Sequence, residues 1–462
     1  MAGVRLKRLK IDKYRNVAPG TELVFNDGFN VLLGKNGTGK TTLLRLIAMV
    51  VTGSFGHLKD DEFGLEYELA VPGLRIIAAI RNEPQGERVP ILPEAGSVPS
   101  DATSLESEPA WSCEFAIVLT EGSSTENLCT ISTNPQRAVL HYDGKEHPIA
   151  VQSPFERSAT HNPLHQALLR LCSIVPNPVE APDDATRTVR SSLIGRLLST
   201  TWLLEAMMAN GGRFDEALGG LEIITAPRPR IRNDAGDIRP AFLGVREDDP
   251  RKSRLGNFIP SELYEAVSTI NPNEFAAENL RFEHGSLKFL QKAANALGVN
   301  GITLIIPLLR KDISRGHNLF LYAGFEFLLT LADGRIISHS YLSYGQKRLL
   351  SFLYYTACNP AVVIADELVN GLHYEWIGAC LKEIQDRQSF LTSQNPILLD
   401  MLPFESADDI QRSFILCSNE VRDGRSQMVW KTMSEQSADV FFRAYETQAL
   451  QVSEILRTNN LW

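Results

Sequence analysis

The sequence contains no run of about 18 apolar residues, the length that a membrane-spanning helix needs. Its apolar stretches, such as residues 304–309 and 361–365, have the length of strands. No apolar segment follows the charged N-terminal stretch MAGVRLKRLK, so the pattern of a secretory signal is missing as well. We therefore expect a cytoplasmic protein that makes no membrane contact.

Closely spaced cysteine pairs are also absent. No two of the six cysteines form a CxxC pair, and none has a histidine partner at zinc spacing. They are Cys113, Cys129, Cys172, Cys358, Cys380 and Cys417. This scatter argues against a disulfide scaffold and a zinc site, and it is typical of reduced thiols in a reducing compartment.

The chain lacks an excess of positive charge, because 46 Lys and Arg stand against 55 Asp and Glu and leave a net charge of −9. Binding of nucleic acid would therefore need a local basic patch. Residues 226–256, predicted to be a loop, contain eight basic residues: Arg228, Arg230, Arg232, Arg239, Arg246, Arg251, Lys252 and Arg254. This loop is the candidate for contact with DNA or RNA, and a solvated insertion or a dimer surface is the alternative.

A glycine-rich loop between an apolar strand and an apolar-faced helix is the main feature that is present. Residues 34–42, GKNGTGKTT, fit the P-loop pattern G-x-x-x-x-G-K-[ST]. Glycines let backbone N–H groups turn toward phosphate oxygens, and the following helix adds the positive end of its dipole. The pattern predicts that Lys40 contacts the β- and γ-phosphates of ATP and that the Thr41 hydroxyl binds Mg²⁺. The predicted ATP-binding residues of the loop are Gly34, Asn36, Gly37, Thr38, Gly39, Lys40, Thr41 and Thr42.

A second feature is an apolar strand that ends in two acids. Residues 361–365, AVVIA, predict a buried strand, and Asp366 and Glu367 follow it. In a Walker B arrangement, Asp366 reaches Mg²⁺ directly or through water, and Glu367 polarises the attacking water. The alternative is a buried strand that ends in two solvated acids, but the P-loop elsewhere in the chain favours the catalytic interpretation.

The segment LSYGQKR, residues 342–348, precedes a predicted apolar helix. Ser343 and Gly345 at the N-terminus of this helix can form a second anion site. An ordinary helix cap is the alternative. The position of Ser343, 23 residues before Asp366, favours the anion site.

Together these motifs resemble the ABC-type ATPase head that RecF-like and SMC-like proteins share. LSYGQ resembles the signature LSGGQ, with Tyr344 in place of one glycine. Residues 366–373, DELVNGLH, resemble the Walker B and D-loop of the overcoming-lysogenisation-defect (OLD) group and of phage-defence systems such as Septu. The stretch Tyr14-Arg15-Asn16 is similar to the aromatic-basic stretch before the family's P-loop, which implies that Arg15 lies near the nucleotide.

The resemblance implies an α/β fold, namely an ABC-type P-loop ATPase head with an antiparallel β subdomain and a mostly helical insertion. We expect an N-terminal ATPase lobe at residues 1–150, a helical insertion with the basic loop at 151–317, and a C-terminal ATPase lobe at 318–462. Lys40 and Ser343 lie 303 positions apart. The chain is therefore expected to be one interrupted head rather than three domains in series.

Local patterns add further expectations about secondary structure. Residues 64–150 predict a mostly antiparallel sheet, and residues 22–25 and 29–33 predict a hairpin around Asn26-Asp27-Gly28. Near the C-terminus, residues 437–456 predict one helix.

In ABC heads, the signature serine of one subunit covers the ATP of another. The resemblance therefore implies that Ser343, Gly345 and Gln346 act in trans, in a homodimer or higher oligomer that ATP holds together and hydrolysis releases. Only 68 residues follow Gln394, too few for the nuclease domain that OLD proteins carry. A separate effector protein, such as a nuclease, is implied, in phage defence or DNA maintenance.

One departure from the family pattern concerns the switch loop, residues 392–396, TSQNP. The family usually has a histidine where Gln394 stands. Glutamine can hydrogen bond to a phosphate or a water but cannot take a proton at neutral pH. Glu367 and Gln394 are the predicted catalytic residues, and we expect slow hydrolysis or tight coupling to a partner. The alternative is that Gln394 only ends a strand.

Three functions fit these motifs. The leading interpretation is an ATP-hydrolysing switch subunit of the RecF/OLD-like class. A nucleotide-dependent scaffold with slow turnover is favoured by Gln394 and opposed by Lys40, Asp366 and Glu367. The motor subunit of an ABC transporter fits less well, because transporter ATPases usually place the signature much closer to the P-loop.

Overall fold

The structure is a computed structural model that describes residues 4–83, 110–155, 164, 170, 222–227, 240–245, 260–268 and 279–461, with gaps of one or two residues inside these ranges. The eight basic residues of the predicted loop and most of the predicted helical insertion at 151–317 lie outside the described residues. In the described part of the chain, no helix is long and apolar enough to cross a membrane.

The described residues form twenty strands and nine α-helices. The strands are β1 (Arg5–Tyr14), β2 (Thr21–Val24), β3 (Phe29–Leu33), β4 (Phe63–Val71), β5 (Leu74–Glu83), β6 (Ala110–Glu121), β7 (Ser124–Thr133), β8 (Ala138–Tyr142), β9 (Lys145–Pro148), β10 (Glu222–Pro227), β11 (Pro240–Val245), β12 (Asn279–Phe282), β13 (Gly301–Ser314), β14 (His317–Ala323), β15 (Glu326–Thr330), β16 (Ile336–Ser338), β17 (Val362–Ala365), β18 (Gln388–Thr392), β19 (Phe414–Arg422) and β20 (Arg425–Thr432). The helices are α1 (Lys40–Thr52), α2 (Ser261–Ser268), α3 (Lys288–Leu297), α4 (Tyr344–Cys358), α5 (Tyr374–Ile384), α6 (Pro396–Asp400), α7 (Ala407–Ser413), α8 (Glu435–Glu446) and α9 (Val452–Thr458). The predicted α/β class is confirmed.

An eight-stranded antiparallel sheet forms the N-terminal part, in the order β2-β1-β4-β5-β6-β7-β8-β9. In β5, Leu74, Ile76, Ala78 and Ile80 are buried and alternate with more exposed residues, as expected of a sheet with one face on the core. The antiparallel region predicted for 64–150 is therefore confirmed.

The predicted hairpin between β2 and β3 is wrong. Strand β2 pairs with β1, whereas β3 leaves this sheet and pairs in parallel with β18 and β19. The Asn26-Asp27-Gly28 turn carries the chain from one sheet to the other. A short-range turn signal cannot distinguish these outcomes, because the partners of β3 lie more than 350 residues away in the sequence.

A five-stranded sheet in the order β17-β18-β3-β19-β20 lies at the centre of the molecule. Its first four strands are parallel, and β20 runs antiparallel at the edge. Along β3, Val31 and Leu33 belong to one core with α4 and α5, and Leu32 belongs to a second core with α1 and the N-terminal sheet. Burial on both faces explains why residues 31–33 of β3 are all apolar rather than alternating.

The third sheet has the order β11-β10-β14-β13-β15-β16, and β12 also pairs with β13. Strand β11 lies inside the loop predicted for 226–256, so that prediction is wrong at Pro240–Val245. The described part of 151–317 also departs from a mostly helical insertion, because it contains four strands beside two helices. The apolar stretch at residues 304–309, which has the length of a strand, lies within β13.

The C-terminal segment ends in two helices, α8 and α9, where one helix was predicted. Between them, Gln448 has a left-handed backbone with φ of +53°, which interrupts the helical path. A new helix then begins after Gln451, whose backbone N–H donates to Oε2 of Glu454 at 3.0 Å.

A buried glutamine joins the central sheet to the N-terminal sheet. The Gln388 side chain, at the start of β18, is 0% exposed. Its Oε1 accepts from the Leu6 amide at 2.7 Å, and its Nε2 donates to the carbonyls of Leu6 and Asn26 at 2.8 Å each. Both polar atoms of the Gln388 side chain are satisfied by these three hydrogen bonds, as a buried polar group requires.

Replacement of Gln388 by leucine is expected to destabilise the protein. The change keeps the side-chain size but leaves the buried amide and carbonyl of Leu6 without their side-chain partners, at about 1–3 kcal/mol for each group. Urea denaturation should show a loss of at least about 2 kcal/mol in the free energy of unfolding. The matched control is Gln385→Leu at an exposed position, expected within about 0.5 kcal/mol of the wild type. Equal stability of the two variants would contradict the bridging role.

Candidate active site

The P-loop leaves the end of β3 and turns sharply into α1. Gly34, Gly37 and Gly39 have φ values of +145°, +83° and +85°, which residues with a Cβ rarely adopt. A Cβ at Gly34 would collide with the carbonyl oxygen of Cys417 on β19. Helix α1 has no side-chain cap at its N-terminus, so the N–H groups of its first turn remain available to an anion.

The Lys40 ammonium lies within the curve of the loop. Its Nζ donates to the carbonyls of Gly34 at 2.6 Å and Lys35 at 3.0 Å. These contacts hold a positive charge beside the N–H groups of the loop. The nearby Cys417 thiol adds no negative charge, since burial raises its pKa to about 12.

The hairpin β19–β20 packs against the P-loop and contacts its backbone through two side chains. The indole Nε1 of Trp430 donates to the Thr38 carbonyl at 3.1 Å, and Nδ2 of Asn419 donates to the Gly37 carbonyl at 3.2 Å. A Cβ at Gly39 would collide with the sulfur of Met428. With the carbonyls of the loop held on this side, its N–H groups can face a phosphate.

The two predicted magnesium ligands meet although they are 325 positions apart in the sequence. The Thr41 hydroxyl donates to Oδ2 of Asp366 at 2.7 Å. The other carboxylate oxygen of Asp366 accepts from the Thr392 hydroxyl at 2.5 Å. A hydroxyl and a carboxylate at this spacing fit Mg²⁺, which usually binds one or two protein oxygens together with substrate phosphates. We expect Thr41 and Asp366 to hold the ion.

Glu367 is held by amide groups on both sides. Its Oε1 accepts from Nε2 of Gln394 at 2.7 Å, and its Oε2 accepts from Nδ2 of Asn370 at 3.1 Å. The same Nε2 of Gln394 lies 3.2 Å from Oδ1 of Asn36 in the P-loop. The predicted base, the switch-loop residue and the P-loop are therefore in direct contact.

The signature residues lie at the N-terminus of α4, with Gly345 buried there. Ser343 and Gln346 form a capping box, in which the serine Oγ accepts from the Gln346 amide and the Gln346 Oε1 accepts from the Ser343 amide. A Cβ at Gly345 would lie 2.5 Å from the carbonyl of Gly371, so only glycine fits this contact. The Tyr344 side chain, which replaces a glycine of the signature, is 65% exposed.

Two further predicted residues have peripheral positions. Arg15 has φ of +49° and an exposed ion pair of 3.5 Å with Asp61, which stabilises little and can be exchanged for another contact. The segment that follows Arg15 runs beside β20, where the Asn16 carbonyl accepts from the Met428 amide. Thr42 is half-buried in the first turn of α1.

Residues 8–82, which include the P-loop, match the family described as an AAA domain. No curated protein matches the chain. Among solved structures, the SMC head domain from Thermotoga maritima is similar at 12% identity, with a TM-score of 0.32, and the match covers 93% of this chain and 99% of that one. The Smc head domain with an extended coiled coil from Pyrococcus furiosus, bound to the C-terminal domain of ScpA, is similar at 11% identity. Its TM-score is 0.34, and the match covers 96% of this chain and 100% of that one. Similarity of this extent leaves the function to be argued from the geometry of the site.

Several residues of the site were missed by sequence reasoning. Thr392 could have been found, because β17 and β18 are parallel neighbours whose carboxyl ends meet at one edge of the sheet. Asn370 could also have been found, because it follows Glu367 by only three residues and a turn there brings the two side chains close together. Trp430 and Asn419 carried no local signal, since their role depends on the pairing of β3 with β19.

Replacement of Trp430 by phenylalanine is expected to weaken nucleotide binding. The ring remains, but the buried Thr38 carbonyl loses its donor and the P-loop is less well ordered. The Kd of a fluorescent ATP analogue should rise about 3- to 10-fold. The matched control is Trp376→Phe on α5, which removes an equivalent hydrogen bond of 3.1 Å from the Trp376 indole to the Ala296 carbonyl on α3. Equal Kd values for the two variants would contradict support of the loop by Trp430.

Proposed function

We propose that the protein is an ATP-binding and ATP-hydrolysing switch subunit of the RecF/OLD-like class. The observation that carries this proposal is the contact of 2.7 Å between Thr41 and Asp366. It joins the phosphate-binding loop to the acids after β17, which is the arrangement that Mg²⁺-dependent phosphoryl transfer needs. Lys40, beside them, supplies the positive charge for the phosphates.

In the proposed reaction, a water oxygen attacks the γ-phosphorus of ATP and the bond from that phosphorus to the β–γ bridging oxygen breaks. ADP and phosphate leave, and the proton of the water is released to solvent through Glu367. Lys40 and the N–H groups at the start of α1 stabilise the charge on the phosphate oxygens. Thr41 and Asp366 would hold Mg²⁺, which would supply charge neutralisation at the phosphates.

The proposal includes a dimer in which Ser343, Gly345 and Gln346 contact the ATP of a second copy. The exposure of Ser343 and Tyr344 supports this role, because it leaves the start of α4 accessible to a second copy. ATP would stabilise the dimer, and hydrolysis would release it. A separate effector, such as a nuclease in phage defence or DNA maintenance, would read this state.

We also propose that the protein is cytoplasmic and that it can contact nucleic acid. The five cysteines in the described residues are buried and form no disulfide bond with one another, which is consistent with a reducing compartment such as the cytoplasm. The basic loop at 226–256 remains the expected contact for DNA or RNA. A surface with a net charge of −9 leaves such contact to a local patch.

A nucleotide-dependent scaffold with slow turnover is the second candidate. It is favoured by the contacts of Glu367, because two amide groups, from Gln394 and Asn370, already occupy its oxygens. Glutamine at this position cannot accept the proton that a histidine could. Steady-state turnover distinguishes the two functions, since the scaffold binds ATP without appreciable hydrolysis in the presence of DNA.

Replacement of Lys40 by alanine is expected to weaken ATP binding about 10- to 100-fold, because it removes a charged hydrogen-bond donor to the phosphates. Isothermal titration with Mg²⁺ and a non-hydrolysable ATP analogue measures this change. The matched control is Lys59→Ala, at an exposed position beyond α1, which should bind as the wild type does. Unchanged affinity in the Lys40 variant would contradict the assignment of the P-loop.

Replacement of Glu367 by glutamine is expected to lower turnover about 100-fold or more, because the group that takes the proton is lost. ATP binding should be kept, and the ATP-bound dimer should accumulate. Light scattering coupled to sizing chromatography, with and without ATP, tests this expectation. A protein that stays monomeric with saturating ATP would contradict the dimer.

A further inference from the structure

Arg348 on α4 reaches across to the loop that carries the two acids. Its guanidinium donates to three consecutive backbone carbonyls: Nη2 to Asp366 at 3.2 Å and to Glu367 at 2.6 Å, and Nε to Leu368 at 3.3 Å. A planar fork of donors suits this set of acceptors, whereas a lysine ammonium is a single point charge. Arg348 thus contacts the backbone of the catalytic segment at three consecutive residues.

The backbone of Glu367 needs such support. Its φ of +50° lies in the left-handed region, which is uncommon for a residue with a Cβ. Strained conformations of this kind persist only where surrounding contacts fix them. At Glu367, the backbone N–H donates a hydrogen bond to the Thr392 hydroxyl at 2.7 Å. The backbone carbonyl accepts one hydrogen bond from Arg348 and one from the Asn370 amide at 3.0 Å.

The same helix begins with the signature segment, one turn before Arg348. There, Gly345 packs against the carbonyl of Gly371, and a Cβ at Gly371 would lie 2.7 Å from the Tyr344 ring. Arg348 also contacts this tyrosine, with Nη1 at 3.4 Å from its hydroxyl oxygen. The exposed start of α4 and the catalytic acids are therefore connected through a short, closely packed path.

We propose that Arg348 is a positioning residue that fixes the backbone of Glu367 and couples it to the signature end of α4. Contact of this exposed end with a second copy of the chain would be transmitted through Arg348 to the orientation of the Glu367 carboxylate. The inference rests on the proposed ATPase function and adds the regulation of its base. Arg348 acts on the orientation of the reacting group and leaves the phosphate-binding loop untouched.

If Arg348 positions Glu367, its loss should lower turnover without weakening ATP binding. The test compares Arg348→Met and Arg348→Lys with the wild type as full-length proteins. Methionine keeps much of the apolar stem and removes every donor, and lysine keeps the charge and removes the fork. The matched control is Arg412→Met, which loses an exposed ion pair of 2.9 Å with Asp408 on α7. Kd for a fluorescent ATP analogue and kcat for Mg²⁺-ATP are measured on each protein.

The methionine variant is expected to lose about 10- to 100-fold in kcat, the scale for a reacting group displaced by up to an ångström. Its Kd should stay within about two-fold of the wild type, since the P-loop is unchanged. The lysine variant should show a smaller loss of kcat, and Arg412→Met none. Unchanged kcat, or a Kd that rises by the same factor as kcat falls, would overturn the proposal. Where the methionine variant does not fold, the lysine variant decides by the same criteria.

A second measurement asks whether Arg348 acts through Glu367. In the Glu367→Gln background, single-turnover hydrolysis should fall by less than about three-fold on adding Arg348→Met, because the group being positioned is already lost. A full additional loss would overturn the proposal. A wild-type protein that does not hydrolyse ATP would instead refute the proposed function, so the two failures are distinguishable.

Discussion

Parallel pairing of β18 with its neighbours β3 and β17 is the interaction on which the candidate site depends. The carboxyl ends of parallel strands meet at one edge of a sheet, and the P-loop, the switch loop and the two acids all begin at such ends. This pairing alone brings Thr41 within 2.7 Å of Asp366. Burial of β3 between two apolar cores fixes the register, because a shift of one residue would exchange Leu32 with Val31 and Leu33 between the cores.

Around this edge, neutral hydrogen-bonding groups hold the charged ones. Thr392 contacts both the carboxylate of Asp366 and the backbone of Glu367, and Gln394 links Glu367 to the P-loop. Amides and hydroxyls orient the carboxylates and bring no charge of their own to the site. Three elements thus contact the site and position its residues: the β19–β20 hairpin, the switch loop and α4.

The sequence was most informative where chemistry imposes a local pattern. The P-loop glycines, the acids after β17 and the capped start of α4 all follow from residue types at fixed spacing, and the structure brings the first two together. Long-range pairing could not be predicted in the same way. Strand β3 left its predicted hairpin, and Trp430 and Asn419 acquired a role only through the pairing of β19 with β3. Strand β11 was hidden in a stretch rich in arginine and proline, whose composition resembles that of a loop.

The central claim is that residues from both ends of the chain form one Mg²⁺-ATP site. A crystal structure with Mg²⁺ and a non-hydrolysable ATP analogue tests it most directly. The account predicts the triphosphate inside the loop that contains Lys40, with the metal ion bound at Thr41 and Asp366 and Glu367 directed toward the γ-phosphate. A triphosphate bound elsewhere, or a metal ion away from Asp366, would contradict it.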